Sequence, residues 1–190
     1  MKRKEDSRVI KTRASLRRAL FELLSEKSYD NVTVNEICDK AGIRRATFYK
    51  HFADKNAFLF SVVHDLRSDF DRTVWGKDSP EHTKDYYIRY AEVMVHFLIH
   101  HNNIAQCVLK SSCGINIIGM LMHQNNIDTQ SKLKLSIADG MQLNTSISSM
   151  STMLIGGIAF MITDWFIDDK GQSAEQLIQD IKYMIGRLLD

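Results

Sequence analysis

An all-α fold is predicted for this 190-residue chain, and three observations support the prediction. The sequence has one proline and nine glycines, which are too few for the closely spaced turns of an all-β protein. Apolar residues recur at helical spacing, and helix-start and helix-stop signals bound the periodic stretches. The composition, 44% hydrophobic and 25% charged, is that of an ordinary globular protein rather than a disordered one.

The first helix is predicted over residues 7–27. Its apolar positions recur three or four apart, while basic residues occupy the other faces. The apolar stripe consists of Val9, Leu16, Leu20, Leu23 and Leu24. The turn-forming residues Ser28-Tyr29-Asp30-Asn31 predict the end of this helix.

Two short helices follow, joined by a tight turn. Thr33 and Glu36 have the spacing of a capping box, in which each side chain satisfies a backbone N–H at the helix start. Gly42 is suited to the left-handed conformation that ends a helix. The chain restarts as a helix at about residue 44, so the segment is predicted to be a helix-turn-helix.

A fourth, longer helix is predicted from an N-cap at Asp54 to about residue 76. Ser79-Pro80-Glu81 then combines an N-cap, a proline suited to the first helical position and an acid in the first turn. We therefore place a domain boundary between the two signals. The expected domains are a helix-turn-helix domain of residues 1–76 and a second helical domain of residues 77–190.

In the second domain the periodicity predicts helices near 80–100, 103–112, 114–125, 145–169 and 173–189. Residues 127–144 are polar and unpatterned, and they are predicted to form a long loop or a frayed helix. The helix near 145–169 carries one apolar stripe through Met153, Gly157 and Met161 and a second through Ile155 and Ile162. A helix that is apolar on two faces must be covered by its own domain and by something else.

Charge is distributed unevenly along the chain. Residues 1–67 contain 15 Lys and Arg against 9 Asp and Glu, whereas residues 68–190 contain 10 against 14. This asymmetry indicates an anionic partner for the first third of the chain, although a basic face is often simply solvated.

The second helix of a helix-turn-helix lies in the major groove of DNA, so its exposed residues are candidates for base and phosphate contacts. Phe48 and Phe52 lie four apart and should anchor this helix to the core. Arg44, Arg45, Thr47 and Lys50 are candidates for base edges. Long polar tips suited to phosphate oxygens are carried by Tyr49, His51 and Lys55, and Thr33 is a further phosphate candidate at the start of its own helix.

The segment running from Val32 to Ile43, then Arg44-Arg45-Ala46-Thr47-Phe48-Tyr49-Lys50-His51-Phe52 and Asp54-Lys55, resembles the tetracycline-repressor (TetR) family of bacterial regulators. The resemblance covers about residues 7–66 and rests on the Thr-Phe-Tyr-x-His-Phe core. It implies double-stranded operator DNA as a partner and homodimerisation through the helices near 145–169 and 173–189. It also implies a small-molecule effector bound in the C-terminal domain. Arg44 departs from the family pattern, which usually has a capping serine there.

The second domain is rich in methionine, which adapts to irregular apolar sites. Candidate ligand-lining residues are Tyr90, Met94, Phe97, Met120, Met161 and Trp165, although an ordinary core position is the better-supported interpretation of each one taken alone. We expect a mostly apolar effector. Glu92 and Asp164 are the nearest acids, and a cationic ligand would follow if either pointed into the cavity unpaired.

Other functions have weaker support in the sequence. His96 and His100 have the spacing of a two-histidine metal site with Glu92 one turn earlier, but no third ligand is evident, and no metal or cofactor is expected. No nucleotide-binding or hydrolase motif occurs, so an enzyme is disfavoured. An architectural DNA-binding protein without an effector remains an alternative. The start of the chain lacks a signal-peptide pattern, and the longest apolar run, Met153 to Ile162, is about half of the ~18 residues that span a membrane, so we expect a cytoplasmic protein.

Overall fold

The computed structural model of the chain describes residues 7–75, 83–168 and 171–189. Its regular elements in these ranges are helices, with no strand. They are α1 (Ser7–Leu24), a 3₁₀ turn (Tyr29–Asn31), α2 (Val34–Ala41), α3 (Arg45–His51), α4 (Lys55–Trp75), α5 (Thr83–His100), α6 (Asn102–Leu109), α7 (Gly114–Ala138), α8 (Ile147–Ile167) and α9 (Ala174–Leu189). The all-α prediction is confirmed. The proposed boundary near residue 76 and the start signal at Ser79-Pro80-Glu81 lie outside the described residues.

The chain divides into two compact units. Unit 1 consists of Met1–Ser68 together with Asn103–Gly114, and unit 2 of Asp69–Asn102 together with Ile115–Asp190. Unit 1 thus contains the helix-turn-helix and also α6, a grouping that the sequence analysis did not anticipate.

Unit 1 has a core that the sequence periodicity largely predicted. Leu16 and Leu20 of α1, Ile37 of α2, Phe48 of α3 and Phe58 of α4 are all at most 1% exposed. α6 joins this core at the end of α1, where the Cys107 thiol donates a hydrogen bond to the Leu24 carbonyl at 3.3 Å. Asp30, within the 3₁₀ turn, accepts hydrogen bonds from the hydroxyl and the backbone N–H of Ser112 at 2.7 and 3.1 Å.

Unit 2 packs α5, α8 and α9 together through their apolar faces. Val95, Leu154, Ile181 and Ile185 are almost completely buried there. Of the two alternatives predicted for residues 127–144, the helix is found as far as Ala138, where α7 ends, so this stretch is not a loop over its first twelve residues. Thr129 and Leu133, four apart, give this polar stretch one buried face, and a single buried face is sufficient for a helix.

α8 lies within the helix predicted near 145–169, and over its whole length it is more apolar than its longest apolar run, Met153 to Ile162, indicated. By length and hydropathy the 21-residue helix meets the criteria for a membrane span. Core helices of globular proteins meet the same criteria. Seven of its residues are buried within unit 2: Met150, Ser151, Leu154, Ile155, Ile158, Ile162 and Phe166.

Candidate nucleic-acid interface

The capping box at the start of α2 is present as the sequence predicted. The Thr33 hydroxyl accepts a hydrogen bond from the Glu36 backbone N–H at 3.3 Å, and a Glu36 carboxylate oxygen accepts from the Thr33 backbone N–H at 2.9 Å. The Thr33 hydroxyl also donates to that carboxylate at 2.8 Å. Because the cap engages this side chain fully, any phosphate contact from Thr33 would have to compete with it.

The tight turn depends on Gly42. Its φ of 67° lies in the left-handed region, where a Cβ is disfavoured, and its N–H caps α2 by donating to the carbonyls of Asp39 and Cys38. Ile43 then donates to the Cys38 carbonyl at 2.9 Å, and α3 begins two residues later. The predicted glycine stop is confirmed.

α3 is fixed to unit 1 by a cluster of three phenylalanines. The Phe48 ring centroid lies 5.5 Å from those of both Phe52 and Phe58, and the latter two centroids are 4.9 Å apart. Phe48 is fully buried. Aromatic contacts of this kind add to the free energy of burial, so the orientation of α3 is set by its buried face rather than by its exposed one.

The opposite face of α3 carries the predicted DNA-contacting residues. Arg44, Arg45, Tyr49 and Lys50 are exposed, whereas Thr47 and His51 are half-buried. The Arg45 guanidinium lies 5.8 Å from the centroid of the Tyr49 ring, a cation–π arrangement that restricts both side chains. Arg44 occupies the N-cap position without a side-chain capping bond, as its departure from the family serine implied.

Ala46 is a further candidate on this face that the sequence alone did not indicate. It is exposed one turn before Tyr49 and Lys50 and therefore shares their face of α3. A small apolar side chain at such a position suits contact with a thymine methyl group. Only the structure shows that Ala46 is exposed; in the sequence alone, alanine has no functional group that would identify it as a DNA contact.

Lys55, predicted as a phosphate contact, has a different environment. Its ammonium donates to the carbonyls of Val32, Tyr29 and Asp30 at 2.8, 2.9 and 3.3 Å, and it lies 4.4 Å from the centroid of the Tyr29 ring. The Tyr29 hydroxyl in turn donates to the Lys55 carbonyl at 3.0 Å. The side chain is thus engaged in joining the 3₁₀ turn to the start of α4.

Ion pairs compensate several cations of unit 1, but not those exposed on α3. Lys27 pairs with Glu36, and Lys40 pairs with Glu26 at 2.7 Å, which compensates these two cations near the end of α1 and on α2. The bond from Lys27 is the main cause that lowers the pKa of Glu36 to about 2. By contrast, Arg44, Arg45 and Lys50 form no ion pair with any residue in the described ranges.

Unit 2 contains the residues predicted to line a ligand cavity. All six are half-buried, on α5, α7 and α8: Tyr90, Met94, Phe97, Met120, Met161 and Trp165. Two have polar partners, since Asn125 donates to the Tyr90 hydroxyl at 2.5 Å and the Trp165 indole donates to the Gln172 carbonyl at 2.8 Å. Their role in ligand binding stays a prediction.

Glu92 does not support the metal or cationic-ligand hypotheses. The Glu92 carboxylate forms an ion pair with the Lys182 ammonium at 2.6 Å, which joins α5 to α9 and compensates the charge of Glu92. Within the described residues, no group of three His, Cys, Asp or Glu side chains is placed to hold a metal ion.

The comparison with known families decides the identity of the helix-turn-helix. Residues 16–62 match the family model described as bacterial regulatory proteins, tetR family. The helix-turn-helix domain belongs to the TetR family. The fold of the whole chain is also found in solved TetR-family structures: a transcriptional regulator from Syntrophomonas wolfei superposes with a TM-score of 0.75 over 94% of both chains, at 15% identity.

Two further comparisons show how far the similarity of this chain to other proteins extends. The uncharacterized HTH-type transcriptional regulator YxbF of Bacillus subtilis is 42% identical over 59 residues, which are 30% of this chain and 16% of that protein. The regulator FadR of Bacillus subtilis, solved in complex with stearoyl-CoA, has a TM-score of 0.71 at 18% identity and covers 90% of this chain and 96% of its own. The similarity to YxbF thus spans about a third of this chain, and the resemblance to FadR is one of fold.

Proposed function

We propose that this protein is a transcriptional repressor that occupies operator DNA as a homodimer in the cytoplasm and is released by a small, mostly apolar ligand. The observation that carries the DNA-binding part is the exposed face of α3. It presents Arg44, Arg45 and Lys50 without ion-pair partners among the described residues, on a helix fixed from behind by the buried Phe48.

The recognition mechanism follows from the geometry of this face. α3 enters the major groove, where Arg45 and Lys50 donate hydrogen bonds to base edges, most favourably to guanine. Tyr49 and His51 donate to phosphate oxygens and set the register of the helix on the duplex. Ala46 meets a thymine methyl group.

Dimerisation is proposed through the outer faces of α8 and α9. Phe160 and Met153 of α8 are 69% and 49% exposed, and Met184 and Leu188 of α9 are 41% and 37% exposed. Gly157 lies between the two α8 side chains, and a Cβ at that position would meet nothing within 4 Å. A second copy packing against this apolar face would bury it and, by two-fold symmetry, present two recognition helices to one DNA site.

Release by a ligand requires that the ligand prefer a conformation that does not fit the operator. The apolar and aromatic residues of α5, α7 and α8 support a ligand site in unit 2. The stearoyl-CoA bound to FadR supports the capacity of this fold to hold a ligand, although it identifies no ligand for this chain.

Selection of binding sites from random duplex DNA with the full-length protein tests the proposal. We expect enrichment of two-fold symmetric sites whose half-sites are separated by about one helical turn, 34–36 Å, or a multiple of it. Arg45→Ala and Lys50→Ala should each relax base preference at particular positions, by about 1–3 kcal/mol per lost contact. Lys134→Ala, which removes an exposed cation from α7, is the matched control and should leave the selected sites unchanged.

Failure would take either of two forms. Recovery of sequences without any enrichment would favour the architectural alternative. An unchanged ranking of preferred sites in Arg45→Ala would show that the assignment of base-reading residues is wrong.

A further inference from the structure

Arg45 and Tyr49 contact each other on the exposed face of α3. They lie four residues apart, so they are neighbours on the same side of the helix. The guanidinium carbon of Arg45 lies 5.8 Å from the centroid of the Tyr49 ring, which is within the range of a cation–π interaction. Of the exposed cations Arg44, Arg45 and Lys50, only Arg45 has a ring contact among the described residues. The Tyr49 ring thus restrains Arg45 and not the other two cations.

The Tyr49 ring is itself held by the core of unit 1. Its centroid lies 5.4 Å from that of Phe48, and the planes of the two rings are inclined by 84°. Phe48 is fully buried and packs against Phe52 and Phe58. Tyr49 is 47% exposed, so its ring packs against the core on one side and meets solvent on the other. A line of contacts therefore runs from the buried phenylalanines through the Tyr49 ring to the Arg45 guanidinium.

Such a restraint on an arginine side chain affects base discrimination. An unrestrained arginine loses rotamer freedom when it forms hydrogen bonds with a base edge, and this loss opposes binding. The loss arises only at a site where the contact forms, because a site without the preferred base leaves the side chain free. A ring that already holds the guanidinium reduces the loss and raises the affinity for the preferred base alone.

We infer that Tyr49 is a positioning residue for base recognition, which holds the Arg45 guanidinium in the orientation that donates to guanine; this inference rests on the proposed function. The ring acts on Arg45 through its face. The Tyr49 hydroxyl lies in the plane of the ring at its outer end, so it stays available for a phosphate oxygen. Tyr49 thus has two separable roles: the hydroxyl contributes affinity for any duplex, and the ring contributes discrimination between bases.

Tyr49→Phe and Tyr49→Leu are the matched pair that separates these roles. Both variants lose the hydroxyl, and only the second loses the aromatic face. The measurement compares the dissociation constants of the full-length protein for two duplexes. One is the site selected by the wild type, and the other has a substitution at the base pair where Arg45→Ala relaxes preference. The ratio of the two constants is the discrimination.

The two variants should differ in this ratio. Tyr49→Phe should weaken binding to both duplexes alike and keep the discrimination of the wild type. Tyr49→Leu should lower the discrimination about two- to fivefold, which is the effect of one cation–π contact at an exposed position. At the base pair where Lys50→Ala relaxes preference, both variants should discriminate as the wild type does.

Two further variants test whether the effect comes from the ring face and acts through Arg45. Tyr49→pentafluorophenylalanine keeps an aromatic ring but removes the negative face that attracts a cation, so it should lower the discrimination as Tyr49→Leu does. In the Arg45→Ala background, Tyr49→Leu should have no further effect on the discrimination, because no guanidinium is left to position. Circular dichroism should show the helical content of the wild type in each variant.

Three results would overturn the inference: equal discrimination by Tyr49→Phe and Tyr49→Leu, an undiminished effect of Tyr49→Leu in the Arg45→Ala background, or unchanged base preference in Arg45→Ala. The first would show that the contact only stabilises α3. If the wild type still selects symmetric sites, each of these results leaves the DNA-binding function standing. If the wild type selects no sequence at all, the proposed function fails and the inference fails with it.

Discussion

Lys55 is placed to stabilise unit 1 through its own hydrogen bonds. Its ammonium meets three backbone carbonyls of the segment from Tyr29 to Val32, and these acceptors have no other cation among the contacts described. Lys55→Met should therefore lower the free energy of unfolding by about 1–3 kcal/mol, since hydrogen bonds to a charged group are the stronger kind. Chemical denaturation monitored by circular dichroism measures the change.

Lys50→Met provides the matched comparison. Lys50 is exposed on α3, and its replacement should change the free energy of unfolding by no more than about 0.5 kcal/mol while weakening DNA binding. Equal stability of the two variants would mean that Lys55 is free to contact phosphate, as its position in the family motif implied.

Glu36 makes the stability of unit 1 depend on pH in the acidic range. Its bonds with Lys27 and Thr33 lower its pKa from 4.5 to about 2 in the folded protein. A group whose pKa is lower in the folded state stabilises the fold above its unfolded pKa and loses that contribution as the pH falls toward the folded pKa. The melting temperature should therefore fall between pH 4.5 and 2, and Glu36→Gln should show a smaller fall over the same range. Identical slopes in the two proteins would refute this account.

Sequence and structure agree best at residues whose role is local. The capping box of Thr33 and Glu36 and the glycine stop at Gly42 depend on neighbours within six residues, and both were predictable. The bonds of Lys55 to the 3₁₀ turn connect residues more than 20 positions apart, and any backbone carbonyl can accept them. No pattern of side-chain types encodes such a contact.

At the scale of elements, the start of α7 requires a glycine. A Cβ on Gly114 would lie 2.0 Å from the Leu109 carbonyl oxygen at the end of α6, so a side chain there forces the backbone to move. Gly114→Ala should lower the melting temperature by several degrees, although alanine is the better helix former. Differential scanning calorimetry provides the measurement.

Gly119, in the interior of the same helix, is the matched control. A Cβ there would meet nothing within 4 Å, so Gly119→Ala should stabilise the protein by up to about 1 kcal/mol. If Gly114→Ala were stabilising as well, the close approach between Gly114 and Leu109 would not exist in solution.

The length of α7 shows where element prediction fails. Its second half is largely polar, and hydrophobic periodicity offers no signal when one buried face consists of Thr129 and Leu133 alone. α3 was easier to predict because its aromatic residues lie four apart and its boundaries carry local signals. The hydrogen bond between Asn125 of α7 and Tyr90 of α5 could not be predicted either, because it joins two helices that are distant along the chain.

At the scale of the whole molecule, the charge distribution agrees with the proposal that the first third of the chain binds DNA. The basic excess lies in residues 1–67, which contain the helix-turn-helix, and the remainder of the chain has an acidic excess. Binding to DNA should weaken steeply with salt, because each phosphate neutralised by a cation releases a counterion. Removal of Lys50, a single cation, should leave a slightly shallower dependence of the binding constant on salt than in the wild type.

The oligomeric state is the remaining property of the whole molecule that the exposed surface predicts. Phe160 is 69% exposed in the middle of α8, and single chains rarely leave apolar faces of this kind in water unless a partner covers them. Light scattering should give twice the 21.9 kDa chain mass for the wild type at micromolar concentration and one chain mass for Phe160→Glu, because a buried carboxylate would face its own symmetry mate. Ile115→Glu, at a 79% exposed apolar residue of α7, should remain dimeric. A wild-type protein with a single chain mass, or a Phe160→Glu variant that stays dimeric, would place the interface elsewhere or remove it.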